Sequence, residues 1–176
     1  MAKEKKAAPE AKEPELYSSV IIDTCIKLIR RRYNYINVSD LLDYAGMESY
    51  QVEDENHWFT QSQVDRFIEK INKLTGNPHF AKEAGRFTAS PETFTTITKY
   101  LLGFVGPAKV FEMAEKITKS YTRSTKYESK RIGRNEIEIK VTPYEGIHEK
   151  PYQCENRIGY FEAILRLFNY RLPKIE

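Results

Sequence analysis

Gly133-Arg134-Asn135-Glu136-Ile137-Glu138-Ile139-Lys140-Val141 is the stretch in which the chain changes its period. Ile137, Ile139 and Val141 alternate with Glu136, Glu138 and Lys140, so apolar and charged side chains fall on opposite faces of an extended segment. That pattern predicts a half-buried strand. Gly133-Arg134-Asn135 supplies turn residues before it, and Arg123 to Ile132 is the expected antiparallel partner. Elsewhere the apolar residues recur at three- and four-residue spacing. A hairpin set among helices predicts an α+β fold, with several helices packed on a small antiparallel sheet.

Upstream of the hairpin the helices are marked by their ends. The first is expected from about Glu15 to Arg32, with Ile21, Cys25, Leu28 and Ile29 on one face. It closes on Arg30-Arg31-Arg32, cations suited to the partial negative charge of a helix C-terminus. Asn37 to Tyr44 reads as a short second helix, capped by Asn37 and stopped by Gly46. An irregular acidic stretch, Glu48 to Asn56, follows. Thr60 and Gln63 have capping-box spacing, and Val64, Phe67, Ile68, Ile71 and Leu74 form a stripe that ends at Gly76. A short helix is expected from Pro78 to Gly85. Ser90-Pro91-Glu92 opens another, lined by Phe94, Ile97, Leu101 and Phe104. One more begins near Ala108 and buries Val110, Ala114, Ile117 and Tyr121. After the hairpin, a long amphipathic helix is expected from Tyr152 to Tyr170, with Cys154, Ile158, Phe161, Leu165 and Phe168 as its stripe.

The 176 residues suffice for one domain with a real core. Residues 1–14, rich in Lys, Glu, Ala and Pro, read as a disordered tail with no secretory signal. Residues 15–176 read as a single domain. A further strand begins at Leu172, which leaves open whether Glu176 ends that domain. No apolar run approaches the roughly 20 residues that cross a bilayer, and a cytoplasmic setting without membrane contact is expected. Net charge is +3, from 28 basic and 25 acidic residues. That balance does not call for a nucleic-acid partner, although Arg30-Arg31-Arg32 and the basic hairpin residues Arg123, Lys126, Lys130, Arg131 and Arg134 form that alternative.

Signatures of catalysis are missing from the sequence: it has no Gly-x-Ser-x-Gly, no Gly-rich phosphate loop and no His-Glu-x-x-His. No catalytic residue and no metal ligand set is assigned. His57, His79 and His148 are too scattered for a metal pair at helical spacing. His57 and His79 are the candidates for a haem or metal contact. Cys25 and Cys154 are far apart in sequence, as expected of thiols in a reducing compartment, and Cys154 is expected to pack as a small hydrophobe. Glu136 and Glu138 read as a solvated sheet face. With 12 Tyr and 9 Phe, aromatic side chains are available to line an apolar pocket between the helices and the sheet. Phe94, Phe104, Phe111, Tyr127, Cys154, Tyr160 and Phe161 are its expected lining.

Two segments carry a family resemblance. One is Leu41-Leu42-Asp43-Tyr44-Ala45-Gly46 with His57-Trp58-Phe59-Thr60 and Leu74-Thr75-Gly76-Asn77-Pro78. The other is Tyr152-Gln153-Cys154-Glu155-Asn156-Arg157-Ile158-Gly159-Tyr160-Phe161-Glu162. Together they resemble the N-terminal sensory region of bacterial multi-domain signalling proteins that carry histidine-kinase or nucleotide-cyclase modules. The second also resembles the long helix of 4-vinyl-reductase-type ligand-binding domains, which are related in fold to haem nitric oxide-binding domains. The resemblance implies a non-catalytic input domain that binds a small apolar ligand or forms a homodimer. Its partner would be a downstream signalling module in the same chain or in another protein. Tyr127-Glu128-Ser129-Lys130-Arg131 matches the Tyr-x-Ser-x-Arg string of the haem family, but no His stands upstream of it at the family's separation. No cofactor is therefore assigned, with haem as the alternative.

Overall fold

In the computed structural model the chain is α+β, and the structure describes residues 12–90, 92–93 and 106–168. The expected helix over Phe94–Phe104 and the strand after Leu172 lie outside the described residues. β1 (Glu15–Ser18) leads directly into α1 (Ser19–Arg32). α2 (Val38–Ala45) and α3 (Ser49–Glu53) precede β2 (Trp58–Thr60). α4 (Gln61–Thr75) and α5 (Phe80–Phe87) come next. Helical residues 106–112 form α6, and α7 (Ala114–Thr118) follows. β3 (Thr125–Arg131) and β4 (Ile137–Pro143) make the hairpin, and α8 (Pro151–Leu167) completes the described order.

The hairpin pairs in the register that the alternation requires. Tyr127 faces Val141, Ser129 faces Ile139 and Arg131 faces Ile137. Ile137, Ile139 and Val141 are half-buried, while Glu136, Glu138 and Lys140 are exposed. Helix ends follow their caps. The Thr60 and Gln63 side chains each accept from the other's backbone N–H, at 3.3 and 3.1 Å. Gly46 and Gly76 close α2 and α4 in the left-handed conformation, φ 70° and 65°.

Two elements depart from the sequence reading. The first helix starts at Ser19 and not at Glu15, because residues 15–18 are extended and pair antiparallel with Trp58–Thr60. Four residues with one irregular pairing step are too few to display an alternating pattern. The Ser18 hydroxyl then accepts from the Val20 N–H and starts α1. The acidic stretch Glu48–Asn56 contains α3, held by reciprocal bonds between Glu48 and Gln51 and by Val52 as its single buried residue.

The main core gathers α1 to α5 and both short strands around Ile22, Leu28, Ile29, Leu41, Met47, Phe59, Phe67, Ile71 and Phe80, all fully buried. A second cluster, Val110, Phe111 and Ile164, packs with Ile139, Phe161, Leu165 and Phe168 between the hairpin and α8. α8 thus serves two neighbours. Phe161, Leu165 and Phe168 of its expected stripe meet the hairpin side, but its most buried residues are Gln153, Gly159, Glu162, Ala163 and Ile164. Of these, Gly159 and Glu162 lie against α5. Among the described residues no helix is long and apolar enough to cross a membrane.

Candidate ligand cavity

Where α1, α4, α5, β3 and α8 converge, they leave a cavity of about 200 Å3. Val20, Ile21, Ile22 and Cys25 of α1, Val64 and Ile68 of α4 and Ala81 and Ala84 of α5 supply an apolar wall. The opposite wall is amphipathic: Tyr121, Tyr127, Tyr152 and Tyr160 present rings, and Gln153, Asn156 and Arg157 present polar heads. Among the described residues, two side chains of the wall carry formal charge, Glu149 and Arg157.

One edge of the cavity is a hydrogen-bonded cluster that ties β1, α4 and α8 together. Tyr152 donates its hydroxyl to Asp65 Oδ1 at 2.8 Å, and Gln61 Nε2 donates to the same oxygen at 2.7 Å. Gln153 Nε2 donates to Gln61 Oε1 at 3.0 Å and also to the Tyr17 hydroxyl, which itself donates to Gln61. Lys150 pairs with Asp65 Oδ2 at 2.8 Å. Burial pushes the Tyr17 hydroxyl up to about 12, and burial with Asp65 nearby raises Tyr152 further. Both phenols stay protonated and serve as donors at neutral pH.

The other edge is an ion pair. Arg157, two turns into α8, gives Nη1 and Nη2 to the two oxygens of Glu149 at 2.8 and 2.6 Å. Both side chains are largely buried, 17% and 12% exposed. Burial opposes the guanidinium charge, but the Glu149 carboxylate and the Tyr127 hydroxyl outweigh it and hold the proton more tightly than usual.

Tyr127 and Tyr160 of the expected lining stand on this wall. Phe111 and Phe161 do not: their rings meet edge to face at 5.8 Å in the second cluster. Cys154 is exposed, because the buried side of α8 turns Gln153 and Gly159 inward instead. Phe94 and Phe104 lie outside the described residues. Cys25, by contrast, is on the wall, 1% exposed, and burial pushes its thiol up to about 12, so it remains a neutral hydrophobe. Sequence reasoning missed Arg157, Gln153 and Glu149. Arg157 stands among Gln153, Glu155 and Asn156 at the start of an amphipathic helix and so gives no local signal, and its partner sits in a loop with no periodicity.

The histidines are not brought together. His57 packs its ring edge-on against Phe59 at 4.7 Å, and His79 is 70% exposed with Glu155 Oε1 at 2.9 Å from Nδ1. Among the described residues no group of three His, Cys, Asp or Glu side chains could hold a metal ion. The two basic stretches are also engaged within the chain. Arg31 and Arg32 pair with Glu92 and Glu83, Arg123 lies over the Trp58 ring at 3.7 Å, and Lys126 pairs with Glu128 at 3.0 Å.

No protein-family model matches the chain, and no curated protein does. A solved structure described as "Modulating Heme Redox Potential Through Protein-Induced Porphyrin Distortion" has a TM-score of 0.67 to this one at 17% sequence identity. The match covers 88% of this chain and 86% of that one. The chain shares that fold.

Among the described residues, those that line the cavity do not fit a haem. The described cavity is smaller than the ~300–1,000 Å3 typical of drug-sized ligands. Among the described residues its wall carries no His or Met, and its thiol is held neutral. In the Tyr-x-Ser-x-Arg string only Tyr127 faces the cavity. Ser129 donates to the Phe111 carbonyl at 2.8 Å, and Arg131 is exposed, donating to the Gly133 and Arg134 carbonyls of the hairpin turn at 3.1 and 2.9 Å.

Proposed function

We propose that the chain is a non-catalytic sensory domain that takes a small, largely apolar ligand into the cavity between α1 and α8 and passes the result on through α8 to a kinase- or cyclase-type signalling module. The observation that carries this reading is the cavity itself. It lies at the meeting point of five elements, and an apolar wall faced by a few oriented polar groups is the usual make-up of a ligand site. Burial holds the Cys25 thiol and the Tyr17 and Tyr152 phenols in their neutral forms, which favours binding over proton transfer. α8 contributes to the cavity and is also gripped by α5, so a ligand that prefers one position of α8 would shift its population.

A thermal-shift screen of the whole chain against small apolar molecules tests this. A ligand at 100 times its Kd should stabilise the fold by about 2.7 kcal/mol. Val20→Phe, which fills the cavity from α1, should abolish the shift. A screen in which no compound raises the melting temperature, or in which Val20→Phe responds like the natural chain, counts against the reading.

Haem binding is a second reading and draws only on the shared fold. Its check is the absorption spectrum of the chain mixed with haemin. On the wall chemistry described above, no protein-bound Soret band is expected, and a sharp shifted band that His79→Ala or Tyr127→Phe removes would establish it.

A further inference from the structure

We infer that the cavity's ligand is a small monocarboxylic acid with an apolar body, and that Glu149 occupies the ligand's anchoring position on Arg157 until the acid displaces it. This inference rests on the ligand-binding reading above and names the ligand class for that site.

Among the described residues, Arg157 and Glu149 are the only charged side chains on the cavity wall, and they satisfy each other through two parallel bonds of 2.8 and 2.6 Å. A planar guanidinium presents a fork that matches a carboxylate, and a buried one left without a partner is strongly disfavoured. Any incoming group that takes Arg157 must therefore replace a carboxylate with a like charge and geometry.

The two partners are not equally free to leave. Arg157 is fixed in the second turn of α8, and the Tyr127 hydroxyl also contacts it. Glu149 sits in the segment between β4 and α8, just before the Lys150 cap, where Gly146 turns the backbone at φ 78°. Exchange sends the Glu149 carboxylate to water and leaves Arg157 paired inside. A cationic ligand would require the reverse, a helix-borne Arg157 stripped of its partner. A neutral ligand would leave the pair untouched. The exchange therefore selects an acid, and the apolar wall from Val20 to Cys25 and from Val64 to Ile68 receives the acid's body. Because Glu149 tethers the β4–α8 segment to α8, displacement also unfastens that segment, which gives the ligand a conformational consequence.

The experiment compares acids with their amides. Hexanoate and phenylacetate, and hexanamide and phenylacetamide as neutral isosteres, are titrated into the whole chain by calorimetry and by proton–nitrogen correlation spectra. Acids should bind at least tenfold more tightly than their amides and shift the Glu149–Tyr152 amide signals. E149Q should tighten acid binding several-fold by removing the competitor, and leave amide binding unchanged. Acids and amides that bind equally, or amides that bind better, overturn the carboxylate inference while leaving the cavity as a ligand site. If neither series binds, the cavity reading falls with it. The acid-to-amide ratio in the natural chain decides the matter even if E149Q does not fold.

Discussion

Gly85 and Gly159 meet where α5 crosses α8, and neither position has room for a side chain. A Cβ on Gly159 would lie 2.1 Å from the Lys82 carbonyl oxygen, and one on Gly85 would lie 2.1 Å from the Asn156 carbonyl oxygen. The obstacles are backbone atoms, so no rotamer change relieves them. The two helices can be this close only because both residues are glycine. Asn156 Nδ2, donating to the Ala81 carbonyl at 3.0 Å, adds a bond along the same crossing.

Gly159→Ala and Gly85→Ala should therefore each destabilise the fold by about 2–3 kcal/mol, at the upper end for overpacking. Urea denaturation measures this directly. The double variant should cost less than the sum, because once the helices have separated for one methyl group the second finds space. Additive losses would mean that the two sites do not share one crossing.

Acid should weaken the same junction. Glu162, 9% exposed on α8, accepts from Arg86 Nε and lies 3.4 Å from Lys82 Nζ, both on α5. The Arg86 hydrogen bond, ahead of opposing burial, holds the Glu162 carboxyl below its usual range. A carboxyl depressed in the folded state contributes stability that is complete above its unfolded pKa, near 4.5, and that is lost as pH falls through the lower folded value. Glu162→Gln should cost about 1–2 kcal/mol at pH 7, less than for a fully buried pair because Arg86 is 40% exposed. It should cost progressively less below pH 4.5. A constant cost across that range would show that the lost contact is steric and not ionic.

The two thiols should react at very different rates. Cys154 is exposed, while Cys25 is 1% exposed with its thiol pushed up to about 12. With a chromogenic disulfide reagent at pH 8, the native chain should release one equivalent of chromophore quickly, and Cys154→Ser should release none on that timescale. Both chains should gain a further equivalent in 8 M urea. Fast modification of Cys25 in the native chain would mean that the cavity opens readily to bulky solutes.

The hydrogen-bonded edge of the cavity should also be costly to break. Gln153→Leu would take from the Tyr17 hydroxyl and Gln61 Oε1 the donor they share in a largely buried setting, while the bond that Tyr17 donates to Gln61 stays. A loss of about 1–3 kcal/mol is expected, from the desolvation of groups left unpaired. Thermal melts measure it, and Tyr17→Phe in the same background should deepen the loss, since it takes away the donor that Gln61 Oε1 still has.

Where periodicity and caps coincide, the sequence is read correctly: α2 and α4 run from Asn37 and Thr60 to Gly46 and Gly76, and the hairpin keeps its alternation. Those signals are local, and each is decided within a turn or two of its own residues. β1 was read as the first turn of α1 because its extended shape comes from pairing with Trp58–Thr60, some forty residues away. The cavity was only half legible. Tyr127 and Tyr160 announce themselves as aromatic residues on a strand and a helix, but Phe161 takes the adjacent direction and joins the second cluster. Arg157, Gln153 and Glu162 look like solvent-facing residues in a helical pattern. Glu162 becomes interior because Gly85 and Gly159 draw α5 close, and two glycines seventy-four positions apart give no local sign of that. Gln153 and Arg157 are covered by Tyr17 and Gln61 and by Glu149, which lie outside the helical pattern.

β1 is bonded along both its edges. Besides its pairing with β2, Tyr17 bridges to Thr122, Ser18 N–H donates to the Tyr121 carbonyl at 2.9 Å and Arg123 N–H donates to the Leu16 carbonyl at 2.8 Å. During synthesis, β1 thus waits for more than a hundred further residues before its second edge is filled. Such a long loop must close at an entropic cost that no local contact repays, so docking of β1 should come late in folding, and until then its open edge is where two nascent chains would meet wrongly.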